Sequence, residues 1–331
     1  VSTVSILNNE TFYLALGNTV DSIVITDMDS VIRYVNAAFT KITGYEAREA
    51  IGLKPNILKS EATTLQTYKE MWAIILNGGW WRGEILNKKK NGNLWYSFLS
   101  ITQIRDDEGT PMGYIGIARD ITEMKDLEKR LFEMSLEAIY MLAMAAEAKD
   151  DVTGSHLRRV RYYSEAIARQ LGLSEPEIIE IGYSSMMHDV GKLNVPDDVL
   201  KKPGSLTEQE WEEMKTHPLK GAAILRDKPF FGVAREIAAN HHERWDGSGY
   251  PKGKKGEEIP LSSRIVTLAD VYDALTTVRP YKDAFSDKVA KQKILEGKGT
   301  FFDPQVVSAF EHLYECGVIT KIKEKYSDEA Q

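Results

Sequence analysis

The sequence predicts a multidomain protein: an α+β module built on an antiparallel sheet, a helical connector, and an all-α second half. Three observations carry this expectation. At 331 residues the chain is long for a single core. Strand alternation and turn signals fill the stretch up to Asp120 and give way to helical periodicity after it. Of the six histidines, His156, His188, His217, His241 and His242 fall in one stretch of the second half, with His312 apart and none before residue 156.

In chain order, a leader over residues 1–10 precedes two strands, Asp21–Asp27 and Val31–Asn36, about the turn Met28-Asp29-Ser30. Helical pieces are expected from Ala37 to Ile51 and from Thr63 to Leu76, where Tyr68, Met71, Trp72 and Ile75 recur at helical spacing. Gly78-Gly79 stops the second piece. Three strands follow, Trp81–Lys88, Leu94–Ile104 and Gly113–Asp120. From Ile121 a continuous helix begins, on which Leu127, Leu131, Met134, Ala138, Met141 and Ala145 alternate steps of four and three. Such a seam fits either a buried stripe or a parallel coiled coil. Its position between a sensor-like module and the histidine cluster favours the coiled coil, with residues 121–146 joining a homodimer.

In the second half, Ser174-Glu175-Pro176-Glu177 opens a helix expected to run to Asp189, and Thr207-Glu208-Gln209-Glu210 opens another that ends at Thr216-His217-Pro218. Ile237–Asn240 leads into His241-His242-Glu243, and Arg264–Leu275 reads as an apolar helix with Asp270 and Asp273 on one face. The run Met187-His188-Asp189-Val190-Gly191-Lys192 sets two metal-ligand types beside a cation. Imidazole and carboxylate together suit Zn, Fe and Mn, and a carboxylate can bridge two ions. Each histidine taken alone reads as a helix cap or a satisfied core residue. Five of them at helix ends, together with Asp189 and Asp270, read as one metal site.

A net charge of −7 argues against a general DNA binder. No run of 18 apolar residues exists, so membrane insertion is not expected. No secretory signal opens the chain. Val1 in place of methionine reads as a processed or cut start, with room for upstream domains. The single cysteine, Cys316, rules out an internal disulfide and a cysteine zinc site and fits a cytoplasmic location.

Two resemblances follow from longer strings. I-T-D at Ile25–Asp27, Y-V-N-A-A-F at Tyr34–Phe39, T-G-Y at Thr43–Tyr45, G-x-W-x-G-E at Gly79–Glu84 and D-I-T at Asp120–Thr122 resemble a PAS sensor domain over residues 11–124. The absence of histidine and cysteine there excludes histidine-ligated haem and cysteine photoadduct chemistry. Lys54–Lys59 with Trp80, Trp81 and Trp95 loosely resembles flavin-binding members. A flavin therefore stands beside an empty or small-molecule pocket, the latter preferred.

H-D-x-G-K at His188–Lys192 and H-H-E-x-x-D-G-x-G-Y-P at His241–Pro251 are similar to the HD-GYP family, a branch of the HD phosphohydrolases that cleaves cyclic dinucleotides, over residues 134–331. The resemblance implies one ion on His156, His188, Asp189 and Asp270, and a second on His217, His241, His242 and the shared Asp189. Lys192 matches the family's lysine beside the metals. Arg279 and Lys282 match positions that meet substrate phosphate, and Gly249 and Tyr250 sit in the loop assigned to substrate. Some members carry a glutamate four residues before the first histidine that supports a third ion. Here that position is Val152, so two ions, Fe or Mn, are expected.

The activity implied is hydrolysis of cyclic di-GMP to pGpG, with a further step to GMP left open. Cyclic GMP-AMP as substrate, or a non-catalytic cyclic-dinucleotide receptor that meets signalling proteins, are the alternatives.

Overall fold

The computed structural model describes residues 9–150, 154–278 and 284–327. The chain divides into two compact units, residues 1–132 and 133–331. In the first, α1 (Asn9–Gly17) precedes β1 (Ser22–Thr26), β2 (Ile32–Val35), α2 (Ala37–Thr43), α3 (Ala47–Ala50), α4 (Leu65–Leu76), β3 (Trp80–Lys88), β4 (Leu94–Arg105) and β5 (Pro111–Asp120). All the strand pairs are antiparallel, in the order β2-β1-β5-β4-β3.

Asn9 and Asn36 mark two departures from the sequence reading. Asn9 already belongs to α1, so the expected leader is partly helical. The Asn36 side chain caps α2, but the helix expected to continue to Ile51 breaks at Gly44, whose φ of 77° ends it in a left-handed cap. Period-2 alternation buries Trp95 and Ser97 of β4 while Leu94, Tyr96 and Phe98 face out. The first unit holds an open pocket of about 450 Å³ lined by residues that include Val24, Tyr68, Trp72, Trp95, Leu99 and Tyr114.

Helix α5 (Thr122–Glu147) contains the division between the units. Its predicted seam is exposed: Leu127, Leu131, Met134 and Met141 are 57%, 67%, 66% and 63% accessible. Within its own unit each of these residues is exposed, so neither unit by itself buries the stripe. The buried face is instead Ile139, Ala143 and Ala146, in one cluster with Leu157, Met187 and Ala234.

The second unit continues with α6 (Gly154–Gln170), α7 (Glu175–Ser185), α8 (Asp197–Leu200), α9 (Glu208–Met214), α10 (His217–Leu225), α11 (Gly232–Asn240), α12 (Leu261–Thr276), α13 (Asp287–Glu296), α14 (Pro304–Glu315) and α15 (Val318–Lys325). Apolar residues at helical spacing on α6, α12 and α14 form its main core, with Tyr163, Ile167, Leu268, Tyr272, Val307 and Phe310 buried. Both capping boxes form. Helix α7 is shorter than expected and stops at Ser185. Beyond it, the N–H groups of Met187 and His188 bond back three residues, to Ser184 and Ser185, so the chain tightens into a turn before Asp189. No helix among the described residues is long and apolar enough to cross a membrane.

Candidate metal centre

Helix boundaries deliver the donor side chains. His156 lies in the first turn of α6, His217 opens α10, His241 follows the last residue of α11, and Asp270 lies on α12. His188 and Asp189 occupy the turn after α7. Two donor groups result: Asp189, His217, His241 and His242 in one, His156, His188 and Asp270 in the other. Within each, one donor atom per residue lies within 4.8 Å of the others.

The imidazoles are oriented as well as gathered. Nδ1 of His188 lies 2.7 Å from the Ser185 carbonyl, Nδ1 of His217 2.8 Å from Met214 O, and Nδ1 of His241 3.0 Å from Ala238 O. Nδ1 of His156 lies 2.8 Å from Asp273 Oδ2. Carbonyl and carboxylate oxygens only accept, so each Nδ1 carries a proton and Nε2 is the nitrogen left to ligate. Those Nε2 atoms converge on carboxylates. His217 and His241 reach Asp189 Oδ1 at 3.2 and 3.4 Å, His188 reaches Asp189 Oδ2 at 3.4 Å, and His156 and His188 each reach Asp270 Oδ1 at 3.7 Å. Lys192 Nζ pairs with Asp189 Oδ2 at 2.8 Å.

Burial drives the pKa of His241 and His242 down, which keeps both imidazoles neutral and able to ligate. Burial also acts to lower His188, but the charges of Asp189, Asp270 and Glu147 outweigh it and lift this group to about 10 without ions. Asp189 is held well below the usual carboxylate range: burial opposes this, and Lys192 and His188 overcome it. His188 Nε2 and Asp189 Oδ1 are nonetheless buried without a hydrogen-bond partner. Buried polar atoms are normally satisfied, and a cation is what this donor set fits.

The supporting layer went largely unread in the sequence. Asp273, noted only as sharing a face with Asp270, accepts from Arg159 Nε at 2.6 Å as well as from His156. Lys149 Nζ donates to the carbonyls of Leu193 and Val195 and so pins the turn that carries Lys192. Glu243, of the H-H-E string, accepts the backbone N–H groups of Lys252 and Lys254 and braces the glycine-rich loop. Gly191 is required by close approach: a Cβ there would lie 1.9 Å from His217 O and 2.5 Å from Gly221 N. Gly249 likewise has backbone where a Cβ would stand, and Tyr250 stacks on His242 with ring centroids 4.7 Å apart. Arg279 and Lys282 lie outside the described residues.

A family profile described as HD domain matches residues 140–306, half the chain and every donor above. The chain belongs to the HD-domain family. A PAS-domain profile matches residues 20–123, ahead of the HD domain. Membership in the HD family implies dependence on divalent metal, which the two donor groups of this HD domain fit.

Among curated relatives, a probable cyclic di-GMP phosphodiesterase of Vibrio cholerae is 40% identical over 63% of this chain and 50% of its own length. A cyclic di-GMP phosphodiesterase of Thermotoga maritima is 39% identical over 62% of this chain and 60% of its own. A 3'3'-cGAMP-specific phosphodiesterase of Vibrio cholerae is 46% identical over 54% of this chain and 34% of its own. The chain thus spans between 34% and 60% of the length of these relatives.

Proposed function

We propose that this chain is a PAS-regulated, metal-dependent phosphodiesterase that opens cyclic di-GMP to linear pGpG. The observation that supports it best is the convergence of four oriented Nε2 atoms on Asp189 and Asp270. When bound, a pair of divalent ions supplies Lewis acidity and a water of lowered pKa. His156, His188 and Asp270 would hold one ion and His217, His241 and His242 the other. Asp189 would serve both, since its Oδ1 faces His217 and His241 while its Oδ2 faces His188. Fe or Mn is the expected metal, because mixed imidazole and carboxylate donors without thiolate suit both.

Hydrolysis adds water across one P–O3' bond, and the leaving 3'-oxygen takes a proton. Lys192 holds the negative charge that grows on phosphate or donates that proton. Burial pushes the Tyr250 phenol up, so it stays a neutral donor beside the substrate. Arg279 offers a planar fork to phosphate and Lys282 a point charge. Gly249 keeps the loop close to the centre.

Product chromatography tests this. Mn-loaded protein should convert cyclic di-GMP to pGpG and Asp189→Ala should not; equal rates would refute the mechanism. Cyclic GMP-AMP is a second substrate reading, favoured by the cGAMP-specific relative, and running both dinucleotides side by side separates the two.

The exposed α5 seam supports a homodimer, and a single cysteine with no internal disulfide fits the cytoplasm. The 450 Å³ PAS pocket is assigned to a small, mostly apolar ligand. Lys54, Lys59 and Trp95 line it whereas Trp80 and Trp81 do not, which weakens the flavin alternative; a visible absorption spectrum of the purified protein decides between them.

A further inference from the structure

Glu147, the last residue of α5, belongs to neither donor set described above, yet it is only 2% exposed. Its Oε2 is buried with no hydrogen-bond partner. A carboxylate taken out of water without a partner is costly, and folds retain one where a cation compensates it. With His188 and Asp189 it forms a third group in which one donor atom per residue lies within 4.8 Å of the others. One buried, unpartnered atom stands on each of the three residues: Glu147 Oε2, His188 Nε2 and Asp189 Oδ1.

The chemistry of His188 limits what this group can be. Its Nδ1 is engaged by the Ser185 carbonyl at 2.7 Å, so a single lone pair, on Nε2, remains for a metal. That lone pair already serves the group with His156 and Asp270. One lone pair binds one ion, so the two groups that share His188 are two sides of a single coordination sphere. We infer that Glu147 is a further ligand of the ion held by His156, His188 and Asp270, an inference that rests on the metal-centre reading above.

The two ion positions then differ in kind. One meets two imidazoles and the carboxylates of Glu147 and Asp270 besides the shared Asp189; the other meets three imidazoles and Asp189 alone. Carboxylate-rich sites favour harder cations such as Mn²⁺. Glu147 thereby makes the His188 side the position that selects Mn²⁺ over softer ions, and it supplies a carboxylate that Val152 cannot.

Equilibrium dialysis of the full chain against Mn²⁺, with elemental analysis, tests this. Wild type should hold two ions per chain. Glu147→Gln, which keeps the shape and removes the charge, should weaken one of the two by at least about tenfold and leave the other unchanged. Asp270→Asn should weaken the same one. Thermal unfolding of ion-free Glu147→Gln should match or exceed wild type, because an uncompensated charge has gone. If that variant fails to fold, Glu147→Asp, with the charge kept and the reach shortened, should show an intermediate loss.

Two ions bound to Glu147→Gln with wild-type constants would overturn the inference, and so would three ions in wild type with only two in the variant. Wild type that binds no Mn²⁺ would instead remove the metal-centre reading itself.

Discussion

Asp273→Ala should separate the two jobs of one buried carboxylate. Asp273 is 1% exposed and accepts from Arg159 Nε at 2.6 Å, Arg159 Nη2 at 3.1 Å and His156 Nδ1 at 2.8 Å. These partners outweigh burial and hold its pKa below the usual carboxylate value. Removing it takes the Nε bond and one Nη2 bond from Arg159, itself 3% exposed, and leaves those to Tyr326 O and Thr277 Oγ1. Breaking a buried ion pair from one side costs about 3–5 kcal/mol. For a unit of this size that lowers the unfolding midpoint by about 6–20 °C. The same change frees the His156 ring, and loss of such an outer partner lowers ion affinity by about 10–100-fold. Calorimetry of the ion-free chain and Mn²⁺ titration read the two effects. Asp273→Leu combined with Arg159→Met removes both charges and should recover much of the stability but none of the affinity. If affinity returns with stability, or if Asp273→Ala binds Mn²⁺ like wild type, Asp273 does not orient His156.

Gly191→Ala must push His217 and Gly221 away from the turn, because the clash is with backbone; about 1–3 kcal/mol of stability should be lost, together with one Mn²⁺, as read by melting and dialysis. Glu210 accepts the Thr207 N–H and both Lys202 contacts, which with that backbone bond hold its pKa down to about 2. A depressed carboxylate contributes stability above its ordinary 4.5 and loses it as pH falls through about 2, so the gap in melting temperature between wild type and Glu210→Gln should be widest at neutral pH and close in acid. Leu131→Glu with Met134→Glu touches only exposed positions. It should leave the melting temperature within the small change expected of surface substitutions, about 0.5 kcal/mol, while sedimentation shows a dimer of wild type become a monomer.

The fold was readable where local signals are strong. The strands and turns of the first unit announce themselves by alternation, and Ser174 and Thr207 mark helix starts by reciprocal capping that needs no tertiary contact. The donor residues were readable too, because histidine is scarce here and clusters. What stayed hidden depends on the third dimension. Arg159 looks like one more cation on a basic helix until α6 is set against α12. Glu147 ends an amphipathic helix and resembles any surface glutamate; only its burial and its nearness to His188 distinguish it. Gly191 reads as a turn former, whereas its measurable role is to let two backbones touch. The exposed α5 seam could not be told from a buried one by periodicity, since both have the same spacing.

One local rule accounts for most of the centre. His188, His217 and His241 each place Nδ1 on the carbonyl three residues earlier, those of Ser185, Met214 and Ala238. Each of these carbonyls lies at the carboxyl end of a helix, where the last turn leaves carbonyls without intrahelical partners. The histidine satisfies that carbonyl, the bond fixes its tautomer, and Nε2 is turned outward by the same contact. Three helix ends, with the negative poles of α7, α9 and α11, therefore face one region and favour positive charge there. His156 stands apart: it sits at the start of α6, and its Nδ1 meets a carboxylate from α12. Its orientation is thus the one among these four that a side-chain substitution removes, which is why Asp273, and not a residue behind His188, His217 or His241, is where the orientation of the imidazoles should be most sensitive to mutation.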